Sequence, residues 1–245
     1  MHDDPTTELR RWATGRAWSR AGAVAAVLAT GVPRRILAAT TRVGLLVVGS
    51  ITIGVAVGVM LWNDFGPGPL DVFIGAIRSR AGVPLFVSVW AVMAAMGAAA
   101  WALGRRPGPG TLVGPLIAGP VMQTTVEVLD RVGSPDGLVL HLLVHAGAIL
   151  VVGVGAGALI VSGLGAGMGE LLAAAASDRS GRPETSVRFV CEATWLVLGV
   201  ALGGPIGLGT VLVASLIGPS VAHGYRRVDA LVAGSRRQLG WAVGA

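Results

Sequence analysis

One pattern occurs twice in this chain. Displaced by 99 positions against itself, the sequence aligns without a gap: Gly54 with Gly153, Gly58 with Gly157, Gly66 with Gly165, Gly68 with Gly167. The matches continue through Asp71/Glu170, Arg80/Arg179, Gly82/Gly181, Pro84/Pro183, Gly108/Gly207, Gly110/Gly209, Thr111/Thr210 and Gly119-Pro120/Gly218-Pro219. Self-similarity at a fixed period means two copies of one structural unit, so any fold proposed for the chain has to be built twice.

The medium follows from composition. Of 245 residues, 53% are hydrophobic and 13% charged, with a mean hydropathy of +0.72, too apolar for the surface of a soluble domain of this size. A chain of this kind is expected in a bilayer, where helices satisfy their own backbone hydrogen bonds. All 19 basic residues are arginine, which with the Ala, Gly and Val content points to a GC-rich bacterial source. The net charge of +6 sits at the ends of apolar segments rather than on one basic face interleaved with aromatics. That pattern is positive-inside anchoring and argues against a nucleic-acid partner. The single cysteine, Cys191, has no internal disulfide partner and reads as a small packed hydrophobe.

Residues 1–42 form an arginine-rich cytoplasmic segment. Its apolar run, Ala21 to Gly31, is about half of the ~20 residues needed to cross a bilayer, so an interfacial helix is expected within residues 1–36 rather than a span or a cleaved signal peptide. Six spans follow: Val43–Trp62, Leu85–Leu103 and Thr111–Val128 in a first membrane repeat (43–132), then Leu140–Val161, Val187–Gly203 and Leu208–His223 in a second (133–228), with a cytoplasmic tail at 229–245. With the N-terminus inside, only Arg78, Arg80 and Arg131 fall outside, so both termini are expected in the cytoplasm. Three spans is an odd number, so the second copy must enter the membrane in the opposite sense to the first. The expected fold class is therefore all-α and polytopic: six transmembrane helices as two inverted three-helix repeats with short non-spanning helices.

Each copy carries a Gly-x-Gly loop after its first span, Gly66 and Gly68 in one and Gly165 and Gly167 in the other. An apolar segment follows that is too short to cross, and it reads as an interfacial or re-entrant helix. Asp71 and Glu170 fall in the first turns of these helices. Two roles fit them: favourable placement against the helix dipole, or binding of a cation or solute at mirrored positions of an alternating-access site. The loops and acids together are the candidate solute or ion site. The second shared element, Gly-x-Gly-Thr at Gly108–Thr111 and Gly207–Thr210, reads as a tight turn with threonine as N-cap. With no lysine in the chain it is not a phosphate-binding loop. Gly119-Pro120 and Gly218-Pro219 are expected to loosen the third and sixth spans.

Glu192 is the ionisable residue furthest inside a span, and Arg188 one turn earlier can pair with it, so it is read either as half of a structural ion pair or as a further site residue. His141 and His145 share a face of the fourth span, with Glu127 and Asp130 ending the third on the same side. A polar helix end explains them as well as a metal site does, and no metal is assigned. Gly-x-Ser-x-Gly, His-Glu-x-x-His and Cys-x-x-Cys are all missing, so neither an enzyme nor a cofactor is expected.

The Gly-x-Gly-Pro-x-Asp loop at Gly66–Asp71, the Arg80-x-Gly82 after it and Gly108–Thr111 resemble the YczE/YyaS/YitT group of bacterial membrane proteins, most of all its YczE branch, over about residues 43–228. The resemblance implies a polytopic protein of the bacterial plasma membrane and supplies no catalytic residues. The chain departs from that group in its long arginine-rich N-terminal segment and in lacking the soluble C-terminal domain of the YitT branch. Inverted repeats with interrupted helices favour a secondary transporter or permease-like protein for a small solute. The alternative is a non-transporting scaffold or accessory protein of another membrane complex. The expected partners are the lipid bilayer and a small solute, with either a second copy of the chain or a membrane partner protein beside them.

Overall fold

The computed structural model describes residues 39–133, 135 and 137–238, so the expected interfacial helix lies outside the described residues. These residues form eight helices and no strand: α1 (Ala39–Trp62), α2 (Pro69–Ala81), α3 (Leu85–Ala102), α4 (Pro109–Asp130), α5 (Leu138–Ser162), α6 (Met168–Ser180), α7 (Glu184–Ala201) and α8 (Leu208–Gln238). Each of α5 to α8 begins 99 residues after its counterpart among α1 to α4.

Local chemistry sets the boundaries. Pro69 and Pro109 open α2 and α4, where a missing N–H costs nothing. Gly82, Gly163 and Gly181 close α2, α5 and α6 in the left-handed conformation that glycine adopts without strain. The 13 residues of α2 and α6 reach only about 20 Å, short of the ~30 Å hydrocarbon layer.

Five helices are long and apolar enough to cross a membrane: α1, α3, α4, α5 and α8. The sequence led us to expect six. The remaining segment, Val187–Gly203, falls in α7, which matches α3 at 18 residues but carries Glu184, Arg188 and Glu192. Two boundaries also differ. The last helix runs on through the expected tail to Gln238, since no proline or paired glycine interrupts it after Pro219. And α4 and α8 stay continuous through Pro120 and Pro219, where loosening was expected, and α4 through Pro115 as well. Beside the α4 prolines, two hydrogen bonds from side chains tie α4 to α3. Trp90 Nε1 donates to the carbonyl of Pro115 at 3.1 Å, and Gln123 Oε1 accepts from the free N–H of Phe86 at the start of α3 at 3.4 Å.

Glycine stripes let the long helices pack backbone to backbone. Gly54 lies on Ala118 and Val121, and Gly58 on Met122 and Thr125, so α1 and α4 run parallel. The contacts recur one repeat later, where Gly153 lies on Ser220 and Gly157 on Gly224, making α5 and α8 parallel too. Between the halves, α1 meets α5 in the opposite sense: Arg42 reaches Ser162, Gly49 lies on Gly155, Met60 packs with Ile149, and Asn63 meets His141. In addition, α2 packs on α7 and α3 on α6, again with the halves exchanged.

The polar contacts gather at two ends of this bundle. At one end Arg42 donates from Nε and Nη2 to the carbonyls of Ser162 and Gly163, both at 2.9 Å, and Arg105 Nε meets Asp178 Oδ2 at 2.6 Å. At the other lie Asn63, His141 and Arg80, whose Nε donates to the carbonyl of Leu202 at 3.0 Å. Thus α7 starts near the Arg42 end, after Asp178, and finishes near the Arg80 end, beside Leu202.

Candidate solute site between the two halves

The Gly-x-Gly loop of each half docks on the Gly-x-Gly-Thr turn of the other. Gly209 N–H donates to the Phe65 carbonyl at 2.7 Å, and Gly110 N–H to the Leu164 carbonyl at 3.0 Å. Gly66 has φ +112°, and a Cβ there would sit 2.7 Å from the Cα of Gly207, so conformation and space both require glycine. The threonines do not act as N-caps, as the sequence had suggested. The cap positions belong to Gly108 and Gly207, leaving Thr111 and Thr210 inside the first turns of α4 and α8. Thr111 Oγ1 instead donates across the interface to the Ala166 carbonyl at 2.7 Å, and Thr210 Oγ1 accepts from Gly207 N–H at 3.4 Å.

These docked loops set the starts of α2 and α6, and with them the acids. The second glycine of each loop makes room for the carboxylate of its own copy. A Cβ on Gly68 would lie 3.1 Å from Asp71 Oδ2, and one on Gly167 would overlap the Glu170 carboxylate. Both acids face a cavity of about 340 Å³ between the halves, which Gly68, Gly165 and Gly167 also line. Glu192 reaches the same cavity from α7, beside Met93, Met96 and Trp195. Of the candidate residues, the structure therefore joins Asp71, Glu170, Glu192 and three of the four loop glycines. Gly66 holds the loop contact behind them.

The two mirrored acids differ in their surroundings. Arg188 Nη1 lies 2.9 Å from Glu170 Oε1, and its Nε lies 3.1 Å from Glu192 Oε1, so one guanidinium bridges two carboxylates. Burial pushes the Glu170 carboxyl up, but the charge and hydrogen bond of Arg188, with a backbone hydrogen bond, outweigh it and hold the group below its ordinary value. In the first half Val89 and Met93 stand where the second has Arg188 and Glu192. Asp71 consequently has no hydrogen-bond or ion-pair partner among the described residues, and burial pushes its carboxyl up. Arg188–Glu192 was legible as an i, i+4 pair; the Arg188–Glu170 bridge was not. Its only trace in the sequence is that the 99-residue shift sets charged residues of one copy against apolar ones of the other.

A second cavity, of about 650 Å³, shares the Arg188 cluster as a wall and extends between α5, α7 and α8. The halves differ here too. Phe86 and Trp90 of α3 close on Gly119 of α4, whereas α7 and α8 stand apart across this cavity.

The histidines lie elsewhere. His141 Nδ1 is 3.0 Å from both the backbone and side-chain oxygens of Asn63, two acceptors that require this nitrogen to carry the proton. Asn63 Nδ2 returns a bond to the His141 carbonyl at 3.0 Å. Phe65 stacks on His141 and meets the edge of the fully buried His145. Glu127 is held by Gln123 Nε2 at 2.6 Å instead, and no group of three or more His, Cys, Asp or Glu is arranged to hold a metal among the described residues. The histidine pair is part of a helix-end clasp. The 99-residue shift carries His141–Asn63 onto Arg42–Ser162, the clasp at the opposite end.

The chain is similar to known sequences over part of its length. A family of unknown function, DUF6198, matches residues 110–225, from the start of α4 to the middle of α8. No curated protein and no solved structure matches it.

Proposed function

We propose that this is a secondary transporter or permease-like protein whose solute occupies the cavity between the two halves. The observation that carries this reading is the meeting of both mirrored acids at one cavity, on short helices that start at interlocked loops. Sites of inverted-repeat transporters lie at such repeat interfaces, on helices that do not cross. The antiparallel pairing of α1 and α5 supports opposite insertion of the halves. The reach of α7 from one polar end to the other supports it as a sixth crossing, with Arg188 and Glu192 turned to the cavities instead of lipid. The arginine distribution and the resemblance to the YczE group support a bacterial plasma membrane with both termini cytoplasmic. The same reading assigns the protein no enzymatic activity and no cofactor.

Uptake by the purified protein in liposomes, across a broad solute panel, tests this directly. For a solute that is taken up, Asp71→Asn should lower the rate at least tenfold and leave the melting temperature nearly unchanged, since the carboxylate makes no contact whose loss would destabilise the fold. Full activity in Asp71→Asn would move the site away from this cavity. No uptake of any solute, with one membrane protein co-purifying stably, would favour the scaffold reading.

A further inference from the structure

The wall of the inter-half cavity is unbalanced in charge. Asp71 from α2, Glu170 from α6, and Arg188 and Glu192 from α7 are the charged residues lining it among the described residues, three carboxylates to one guanidinium. The guanidinium is already engaged by Glu170 and Glu192. Asp71 is half-buried, lines the same cavity, and has no hydrogen-bond or ion-pair partner among the described residues. An isolated buried carboxylate is costly, and the group either takes up a proton or acquires a positive partner.

The rest of the wall decides what kind of cation fits. Met93 and Met96, flexible and polarisable, face it, and so does Trp195, whose ring pairs with Phe73 at 5.4 Å. A metal ion needs several ligands converging on one point, and no three or more His, Cys, Asp or Glu are so arranged among the described residues. An organic ammonium needs one carboxylate, an aromatic face and apolar walls, all of which are present here. A volume of about 340 Å³ is at the small end of ligand pockets. The adjoining larger cavity runs between α7 and α8 to the highly exposed Phe189 and Val190, an apolar approach that suits a solute partitioning into lipid.

We infer that the solute is a small organic cation with an apolar body, its charge held by Asp71 and its body by the methionine and tryptophan wall. This rests on the reading of the cavity as the solute site and adds the chemical class.

Three probes of similar size and different charge test it: phenyltrimethylammonium, benzyl alcohol and benzoate, measured by equilibrium binding to the full-length protein in nanodiscs. The cation should bind saturably and benzoate not at all. Asp71→Asn should weaken cation binding at least tenfold, Asp71→Glu should retain it within about threefold, and Met93→Trp, which fills the cavity, should abolish it. Equal affinity in Asp71→Asn, or no cation binding by a protein with a normal melting transition, overturns the inference. Binding of benzoate or benzyl alcohol that Met93→Trp removes would overturn the charge assignment while keeping the cavity as a solute site. Binding of any probe that Met93→Trp leaves intact would overturn both.

Discussion

Gly224→Leu should leave little folded protein. Gly224 sits where α8 crosses α5, and any Cβ there would overlap the carbonyl oxygen of Gly153, which belongs to a helix backbone and has nowhere to move. Overpacking a well-filled site typically costs about 1–3 kcal/mol when side chains can give way, and a clash with backbone lies at or above the top of that range. Gly147→Leu on α5 is the matched control, because a Cβ there meets nothing within 4 Å. In detergent, the Gly147 variant should melt with the parent, and the Gly224 variant should melt far lower or aggregate on extraction. Comparable melting of the two would show that the α5–α8 contact does not hold the second half together.

The second large effect concerns charge. Arg188→Gln leaves Glu170 and Glu192 facing one another without the guanidinium that separates them. Removing one partner of a fully buried pair costs about 3–5 kcal/mol. These side chains keep 26–35% of their surface open toward the cavities, and solvent there screens the pair, so about 2 kcal/mol is the expected loss. The triple variant Glu170→Gln, Arg188→Gln, Glu192→Gln removes the conflict together with the charge and should recover most of the lost melting temperature. Recovery is the informative result: a triple variant no more stable than Arg188→Gln alone would mean that the guanidinium acts through packing rather than through its two carboxylates.

Much of the fold was legible because a repeat states its constraints twice. The start of every helix in the second half could be found from the first by adding 99, and the short helices were marked by glycine pairs and by apolar runs too brief to cross. Helix ends were less legible. Nothing in local propensity stops α8 at His223, and its continuation to Gln238 depends on which face finds partners, as Tyr225 and Val228 do against Ala158 and Val161. The role of Thr111 was misread for a related reason. As a sequence motif it resembles an N-cap, but the acceptor it finds is a carbonyl 55 residues away, on a loop of the other half. On the proposed reading of α7 as a sixth crossing, its charges explain why it falls below the other spans, since charges paired with one another or turned to a cavity count against a helix in any hydropathy average.

For the candidate site, the repeat singled out acids and glycines that line one cavity, while their convergence there needed the packing of α2 and α6 across the halves. Asp71 and Glu170 are not equivalent in the structure. Their positions are mirrored, but Arg188 has no counterpart in the first half, and the two carboxylates carry opposite electrostatic burdens. The histidines illustrate the limit of linear spacing. Four residues apart on one helix face, they invited comparison with a metal site, yet Glu127 turns to Gln123, and Asn63 and Phe65 fill the place.

Opposite insertion of the two halves underlies the whole functional reading, and mirrored single cysteines test it most directly. Ala81 and Ser180 are 99 residues apart at the ends of α2 and α6, and Arg106 and Pro205 are 99 apart in the turns before α4 and α8; all four are exposed. In a Cys191→Ser background, intact cells or sealed right-side-out vesicles carrying one cysteine each are treated with a membrane-impermeant maleimide. Cysteines at 81 and 205 should label from outside, and those at 180 and 106 only after the membrane is opened. If the two members of either mirrored pair label from the same side, the halves are not inverted and the proposed transport mechanism fails with them.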